Sequence, residues 1–326
     1  MEIHVVLIGF LLSHANLVLA DFTYEGLHGP QHWGKDYDEC VGKHQSPINI
    51  EEHIVKNISL PKLELLELDS QRDFYIENNG HTVMLKINST KRPSIIGGPL
   101  GSHEYVFEQL HFHWGANDHE GSEDLINNHS FAMELHVVFY KKTYKSLQEA
   151  IHHSDGLTVL AYFFEASDDD NHNYASIIDS LPDIEAVGSS TSLRNQHVME
   201  EMLLPNPSVL QDYFTYNGSL TTPPCSEVVT WIDFKEPLRL SHNQIAAFRN
   251  VHSPDGKLLH NFRPIQPLED RVVYHNIPLP EDNSHNADGS GQSRLHPSFP
   301  FALGAVLFTT HHGMCAYCIN FLSVFR

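Results

Sequence analysis

The chain has 326 residues, with 20 Lys and Arg against 41 Asp and Glu, and its net charge of −21 argues against nucleic acid or anionic lipid as a partner. The length allows one large domain or two ordinary ones, with ample chain to bury a core. Twenty-five histidines are too many for any one of them to mean much alone, so only their pattern is informative.

Met1 to Ala20 reads as a secretory signal. Val5–Leu12 and Leu17–Ala20 are apolar, and Val18-Leu-Ala20 suits a cut before Asp21, although the leading residues carry Glu2 and His4 and no Lys or Arg. Four sequons agree with export: Asn57-Ile-Ser, Asn88-Ser-Thr, Asn128-His-Ser and Asn217-Gly-Ser are glycosylation acceptors, whereas Asn206-Pro-Ser breaks the no-proline rule.

Asp21 to Ile50 is rich in Gly, His and aromatic residues and has few helical or strand-like runs; Cys40 lies within it. Leu60 to Leu100 reads as three or four short strands, with a turn at Asn78-Asn-Gly80 between two apolar runs. His81, just past that turn, reads on its own as an ordinary surface histidine.

Tyr105-Val-Phe-Glu-Gln-Leu-His-Phe-His-Trp-Gly115 then alternates as a β-strand does. Gln109, His111 and His113 point to one face, and Leu110, Phe112 and Trp114 to the other. Imidazoles at i and i+2 are roughly 7 Å apart at Cα, close enough to grip one ion. By itself an H-x-H pair is a weak signal. Phe131-Ala-Met-Glu-Leu-His-Val-Val-Phe-Tyr140 strengthens it, with Glu134, His136 and Val138 on one face of a second strand. Catalytic zinc takes three protein ligands and keeps a fourth position open. Gln109 and Glu134 each stand two residues before a histidine, where they can hold its second ring nitrogen.

The run Gln-Leu-His-Phe-His-Trp-Gly followed by Glu-Leu-His-Val-Val resembles the zinc-binding core of the α-class carbonic anhydrases. The likeness extends from Tyr24 to Tyr274 in order. It takes in His28-Gly-Pro30, His32-Trp-Gly34, Gln45-Ser-Pro-Ile-Asn-Ile50, Gly121-Ser-Glu123, Ser219-Leu-Thr-Thr-Pro-Pro224 and Asn261-Phe-Arg-Pro-Ile-Gln-Pro267. It implies an α+β, predominantly β fold: a single domain over residues 21–276, built on a large twisted, mostly antiparallel central sheet with short surface helices. It also implies one Zn²⁺ per chain on His111, His113 and His136, with Gln109, Glu134 and Asn261 behind them.

The implied activity is reversible hydration of carbon dioxide to bicarbonate and a proton through zinc-bound hydroxide. On this resemblance Thr221 donates its hydroxyl proton to Glu123 and accepts from the hydroxide, and His81 shuttles the released proton near the pocket mouth. Histidine is suited to that task because its charge changes near neutral pH. Tyr24 and Asn79 order solvent, with Thr222 beside them. Val138, Val159, Leu220, Thr222 and Trp231 form the substrate pocket, which for an apolar molecule should be greasy. Met84 stands where the family often has a polar residue. A related module that binds or adheres without significant catalysis is the alternative, and the intact ligand set disfavours it. A zinc hydrolase of the H-E-x-x-H type is disfavoured because no carboxylate stands beside the metal as general base.

Farther along, Asp155–Phe164 reads as a turn and a buried strand, Asp168-Asp-Asp170 as an exposed acidic loop, Tyr174–Gly188 as helix or helical turn, and Glu227–Ile232 as strand. Extracellular members of the family pair cysteines at the positions of Cys40 and Cys225. Residues 277–298 form a Pro/Gly/Ser/Asn linker with little to bury. Residues 299–326 are a hydrophobic tail interrupted at His311-His312, and they fit a GPI-attachment signal, with a retained secreted tail or a poor membrane span as alternatives. The localisation this implies is extracellular, either secreted or held at the membrane only by a lipid anchor, and the oligomeric state is left open. Cys315 and Cys318 would leave with the tail.

Overall fold

The structure, a computed structural model, describes residues 22–203 and 209–277. The signal segment 1–20, linker residues 278–298 and the tail 299–326 with Cys315 and Cys318 lie outside the described residues.

Strands dominate. In chain order they are β1 (Asn49–Ile50), β2 (Lys56–Ile58), β3 (Glu64–Leu66), β4 (Phe74–Asn78), β5 (Val83–Ile87), β6 (Ser94–Ile96), β7 (Tyr105–Trp114) and β8 (Leu125–Ile126). There follow β9 (Met133–Lys141), β10 (Leu157–Ser167), β11 (Ser190–Ser192), β12 (Tyr213–Gly218), β13 (Val229–Ser241), β14 (His252–Ser253), β15 (Gly256–Lys257) and β16 (Tyr274–Asn276). Twelve of them make one sheet, whose main path runs β11-β4-β5-β7-β9-β10-β13-β12-β16-β2, with β3 and β6 to the side. The pairs β10–β13 and β16–β2 are parallel and the other pairs of this sheet antiparallel, so the expected mostly antiparallel sheet is found, and it is mixed.

The central strands are buried on both faces, which is why β9 and β10 read as near-continuous apolar runs. Leu110, Phe112, Trp114, Leu135, Val137 and Phe139 belong to the larger core cluster on one side. Val138, Val159, Trp231 and Phe163 belong to a second cluster on the other. Each such side chain contributes about 1.5–3 kcal/mol by leaving water.

Among the described residues helices are short, the longest being His242–Phe248, which starts at a capping box between Ser241 and Gln244. The 74–87 hairpin turns where the sequence predicts. Asn78 Oδ1 accepts from Gly80 N at 2.8 Å, and Gly80 takes a φ of +89° that suits glycine. Cys40 and Cys225 form the expected disulfide across 185 residues. Among the described residues no helix is long and apolar enough to cross a membrane.

Candidate metal centre

Strands β7 and β9 pair so that His111 stands directly opposite His136 and His113 opposite Glu134. The sequence spacing thereby becomes a triangle. The donor nitrogens of His111, His113 and His136 all lie within 4.8 Å of one another, and their ring centroids are 4.5–5.2 Å apart. His113 and His136 are buried and His111 is half-buried.

The second nitrogen of each ring is committed to an acceptor. Gln109 Oε1 holds His111 Nδ1 at 2.9 Å, the Asn261 carbonyl holds His113 Nδ1 at 2.7 Å, and Glu134 Oε1 holds His136 Nε2 at 2.6 Å. A carboxamide oxygen, a peptide carbonyl and a carboxylate all accept, so each of these nitrogens carries the proton. That fixes the tautomers and leaves lone pairs on His111 Nε2, His113 Nε2 and His136 Nδ1. The last two face each other at 3.1 Å. Two lone pairs at that distance repel unless a cation lies between them, and tetrahedral Zn–N bonds of about 2.0–2.1 Å place two nitrogens about 3.3 Å apart. Burial keeps the imidazoles neutral: it holds His111 and His136 well below the usual histidine range and His113 at about 4. A neutral three-nitrogen set with fixed tautomers fits Zn²⁺.

A buried carboxylate lies against this triangle. Glu123 Oε1 accepts from Arg263 N at 2.7 Å, while Oε2 lies 3.4 Å from His113 Nε2 and 3.8 Å from His136 Nδ1. Burial pushes Glu123 up to about 8, against the opposing pull of Thr221 and Arg263. Thr221 is buried and close enough to favour the charged form, yet Glu123 Oε2 has no formed hydrogen bond. The predicted Thr221–Glu123 bond is thus an approach, not a closed contact. Glu134 uses its remaining oxygen to accept from the backbones of Glu123 (2.7 Å) and Asp124 (3.0 Å), which ties the Gly121-Ser-Glu loop to the ligand strand.

An apolar row leads away from His136. Val138, two residues on, pairs with Val159, Val159 with Trp231, and Trp231 with Tyr216. The Trp231 ring lies 4.8 Å from that of His136, and its indole N–H donates to Ser219 O at 3.2 Å. Leu220 packs on this cluster. Thr222 is half-buried in the turn closed by Cys225 N to Thr222 O.

His81 is half-buried and stacks on Phe22 at 4.1 Å and 14°. Phe22, Tyr24, Gly80, His81 and Leu259 line one cleft. Two members of the predicted solvent network are more committed than the sequence suggests. Asn79 Oδ1 accepts from the backbones of His81 (3.0 Å) and Thr82 (2.9 Å), and Tyr24 is buried against Trp33, with its hydroxyl pKa raised chiefly by that burial. Met84 stands opposite His111. The four sequon asparagines, Asn57, Asn88, Asn128 and Asn217, are all exposed.

Arg263 has no role in the sequence reading although its motif was noted. Its guanidinium bonds Gln45 Oε1 (2.9 Å), Ser46 O (2.8 Å) and Cys40 O (3.0 Å) beneath the Trp33 ring, so it anchors the amino-terminal segment to the Glu123 loop. Asn261 does more than expected: besides its carbonyl, its side chain holds Trp114 N, Phe112 O and His81 O, which fixes the carboxy-terminal end of β7 and the His81 turn together.

Three imidazoles thus converge on two central strands of the sheet, in a group that could hold one metal ion, beside an apolar row. Residues 28–277 match the eukaryotic-type carbonic anhydrase family, and the chain belongs to it. It is 38% identical to carbonic anhydrase 6 of Homo sapiens over 280 residues, which is 83% of this chain and 88% of that protein. It is 37% identical to carbonic anhydrase 15 of Mus musculus over 75% of this chain and 79% of that one. Against carbonic anhydrase 7 of Homo sapiens it is 40% identical over 75% and 93% respectively.

Proposed function

We propose that this chain is a carbonate dehydratase, interconverting carbon dioxide and water with bicarbonate and a proton, and that it holds one Zn²⁺ on His111 Nε2, His113 Nε2 and His136 Nδ1. The observation that carries this reading is the convergence of three neutral lone pairs beside the row Val138–Val159–Trp231. When bound, the ion would supply undiminished positive charge that brings the pKa of a coordinated water from 15.7 to about 7.

The chain's own residues do the rest. Gln109, the Asn261 carbonyl and Glu134 keep the ligand nitrogens deprotonated and aimed. Thr221, on donating to Glu123, becomes an acceptor at the site and so orients a proton-bearing nucleophile toward the recess. Glu123 can fill the acceptor role because one oxygen is left over after Arg263 N takes the other. Val138, Val159, Leu220 and Trp231 hold an uncharged, linear molecule by dispersion and exclude competing water. His81 carries the product proton to solvent from the cleft it shares with Tyr24.

We infer in addition that the catalytic domain spans 21–276 and that the chain works outside the cytosol. A disulfide that closes across the whole domain and four exposed sequons support export. The segments 1–20 and 299–326 would serve as signal and anchor signal. Stopped-flow hydration on protein of measured zinc content tests the main reading. Activity that rises with zinc occupancy and disappears on chelation is expected; stoichiometric zinc with no rate above buffer would assign the chain to binding instead.

A further inference from the structure

Among the described residues the main sheet ends at β2, which pairs in parallel with β16. Lys56 N donates to Val273 O at 3.0 Å, and Ile277 N donates to Ile58 O at 3.1 Å. Peptide groups alternate in direction along a strand, so with residues 56 and 58 bonded inward, Asn57 aims its N–H and C=O out of the sheet. Outward peptide groups of this kind recruit a further strand. Exposed apolar side chains stand near it among polar ones: Ile54, Tyr274 and Ile277 are 54%, 38% and 43% exposed, alongside exposed His53 and Lys56. This edge therefore offers both the hydrogen-bonding groups and the exposed apolar side chains that a second copy of the chain would pair with.

The residue with the outward peptide groups is also the exposed first residue of Asn57-Ile-Ser59. We propose that Asn57 is N-glycosylated and that its glycan covers this edge, keeping two copies from joining strand to strand through β2. The proposal rests on the export reading above. In the modification, Asn57 Nδ2 forms an N-glycosidic bond to C1 of an oligosaccharide. The bond from C1 to the pyrophosphate of a lipid-linked donor breaks, and the amide proton leaves with the pyrophosphate side. A hydrated oligosaccharide is too bulky and too polar to be packed under a pairing strand.

The test uses the full chain secreted from glycosylating eukaryotic cells. Peptide mass mapping reads occupancy at each sequon, and light scattering after size exclusion reads particle mass over a range of concentrations. Wild type should be occupied at Asn57. Ser59→Ala, which leaves Asn57 in place but destroys its sequon, should shift to larger, concentration-dependent species while its circular dichroism is unchanged. Asn57→Lys, bare of sugar but charged at the edge, should keep the wild-type mass. Asn57→Gln, bare of sugar and uncharged, should shift as Ser59→Ala does. Bare Asn57 beside occupied Asn88, Asn128 or Asn217 would overturn the edge inference alone. So would folded Ser59→Ala and Asn57→Gln that keep the particle mass of a single chain at every concentration. No occupancy at any sequon would overturn the export reading with it.

Discussion

His111 is the least buried of the three imidazoles, and the Gln109 carboxamide holds its Nδ1. Removing the ring removes one of three donors, so His111→Ala should lose zinc and hydration activity together; a zinc-loaded, active variant would refute the assignment. Gln109→Ala leaves the ligand but frees its tautomer and should weaken zinc affinity about 10–100-fold, measured by chelator competition. His81 stands outside the triangle, so His81→Ala should reduce kcat in dilute buffer by about 10²-fold, leave kcat/KM for carbon dioxide unchanged, and be relieved by added imidazole. Loss of both constants in proportion would remove it from proton transfer.

Asp233 was not legible. In a sheet solvated on one face, an Asp between Ile232 and Phe234 would be read as pointing to water. Here both faces are buried, and Asp233 is fully buried in register with Ala161 and Phe214, with both carboxylate oxygens unpartnered. Burial first, and then the nearby Asp124, hold its pKa well above the carboxylate range. The unfolded chain releases that proton near ~3.9, whereas the folded protein keeps it. Folding thus takes up a proton, and stability falls as pH rises above the unfolded value. Asp233→Asn cannot ionise, so its stability advantage over wild type, measured by denaturant unfolding, should grow with pH between 4 and 7 by up to about 1.4 kcal/mol per pH unit. A constant difference across that range would show Asp233 to be ionised in the fold.

At the scale of strands, the part of the site that was readable is the part that strand alternation dictates. His111, His113 and Gln109 share a face because a strand repeats every two residues, and His136, Glu134 and Val138 follow the same rule one strand over. Strand alternation says nothing of the Asn261 carbonyl that holds His113, a backbone acceptor from 148 residues away; only the family resemblance puts Asn261 behind the ligands. Arg263 escaped similarly, because its partners are mostly carbonyls of the amino-terminal segment. The apolar row offers an element-level prediction. Val138→Phe keeps every ligand but fills the space between His136 and Val159. It should lower kcat/KM for carbon dioxide by about ten- to hundredfold, a loss of about 1.4–2.8 kcal/mol in transition-state stabilisation, with zinc content unchanged. Unaltered kcat/KM would move the substrate recess away from this row.

At the scale of the whole molecule, the Cys40–Cys225 bridge joins the amino-terminal wrap to the loop that follows Thr221. The family resemblance suggests a bridge here, and its position after Thr221-Thr-Pro-Pro224 suggests that it helps hold the threonine still. The structure shows the same joint fastened by other means. Gln45 Nε2 donates to Cys225 O at 3.1 Å and to Glu227 Oε1 at 3.0 Å, His44 N donates to Glu227 Oε1 at 2.6 Å, and the Ser226 hydroxyl donates to Glu39. Arg263 reaches Cys40 O from the other side. These bonds survive reduction, whereas the chain-entropy restraint on the unfolded state does not. The Cys40→Ser, Cys225→Ser double variant should therefore lose about 2–5 kcal/mol of stability, seen as a lower denaturation midpoint. At 25 °C, well below its transition, it should keep kcat within a few-fold of wild type and bind zinc normally. A fully folded variant whose kcat has collapsed would place the positioning of Thr221 in the sulfur bridge itself, and would make the surrounding hydrogen bonds secondary.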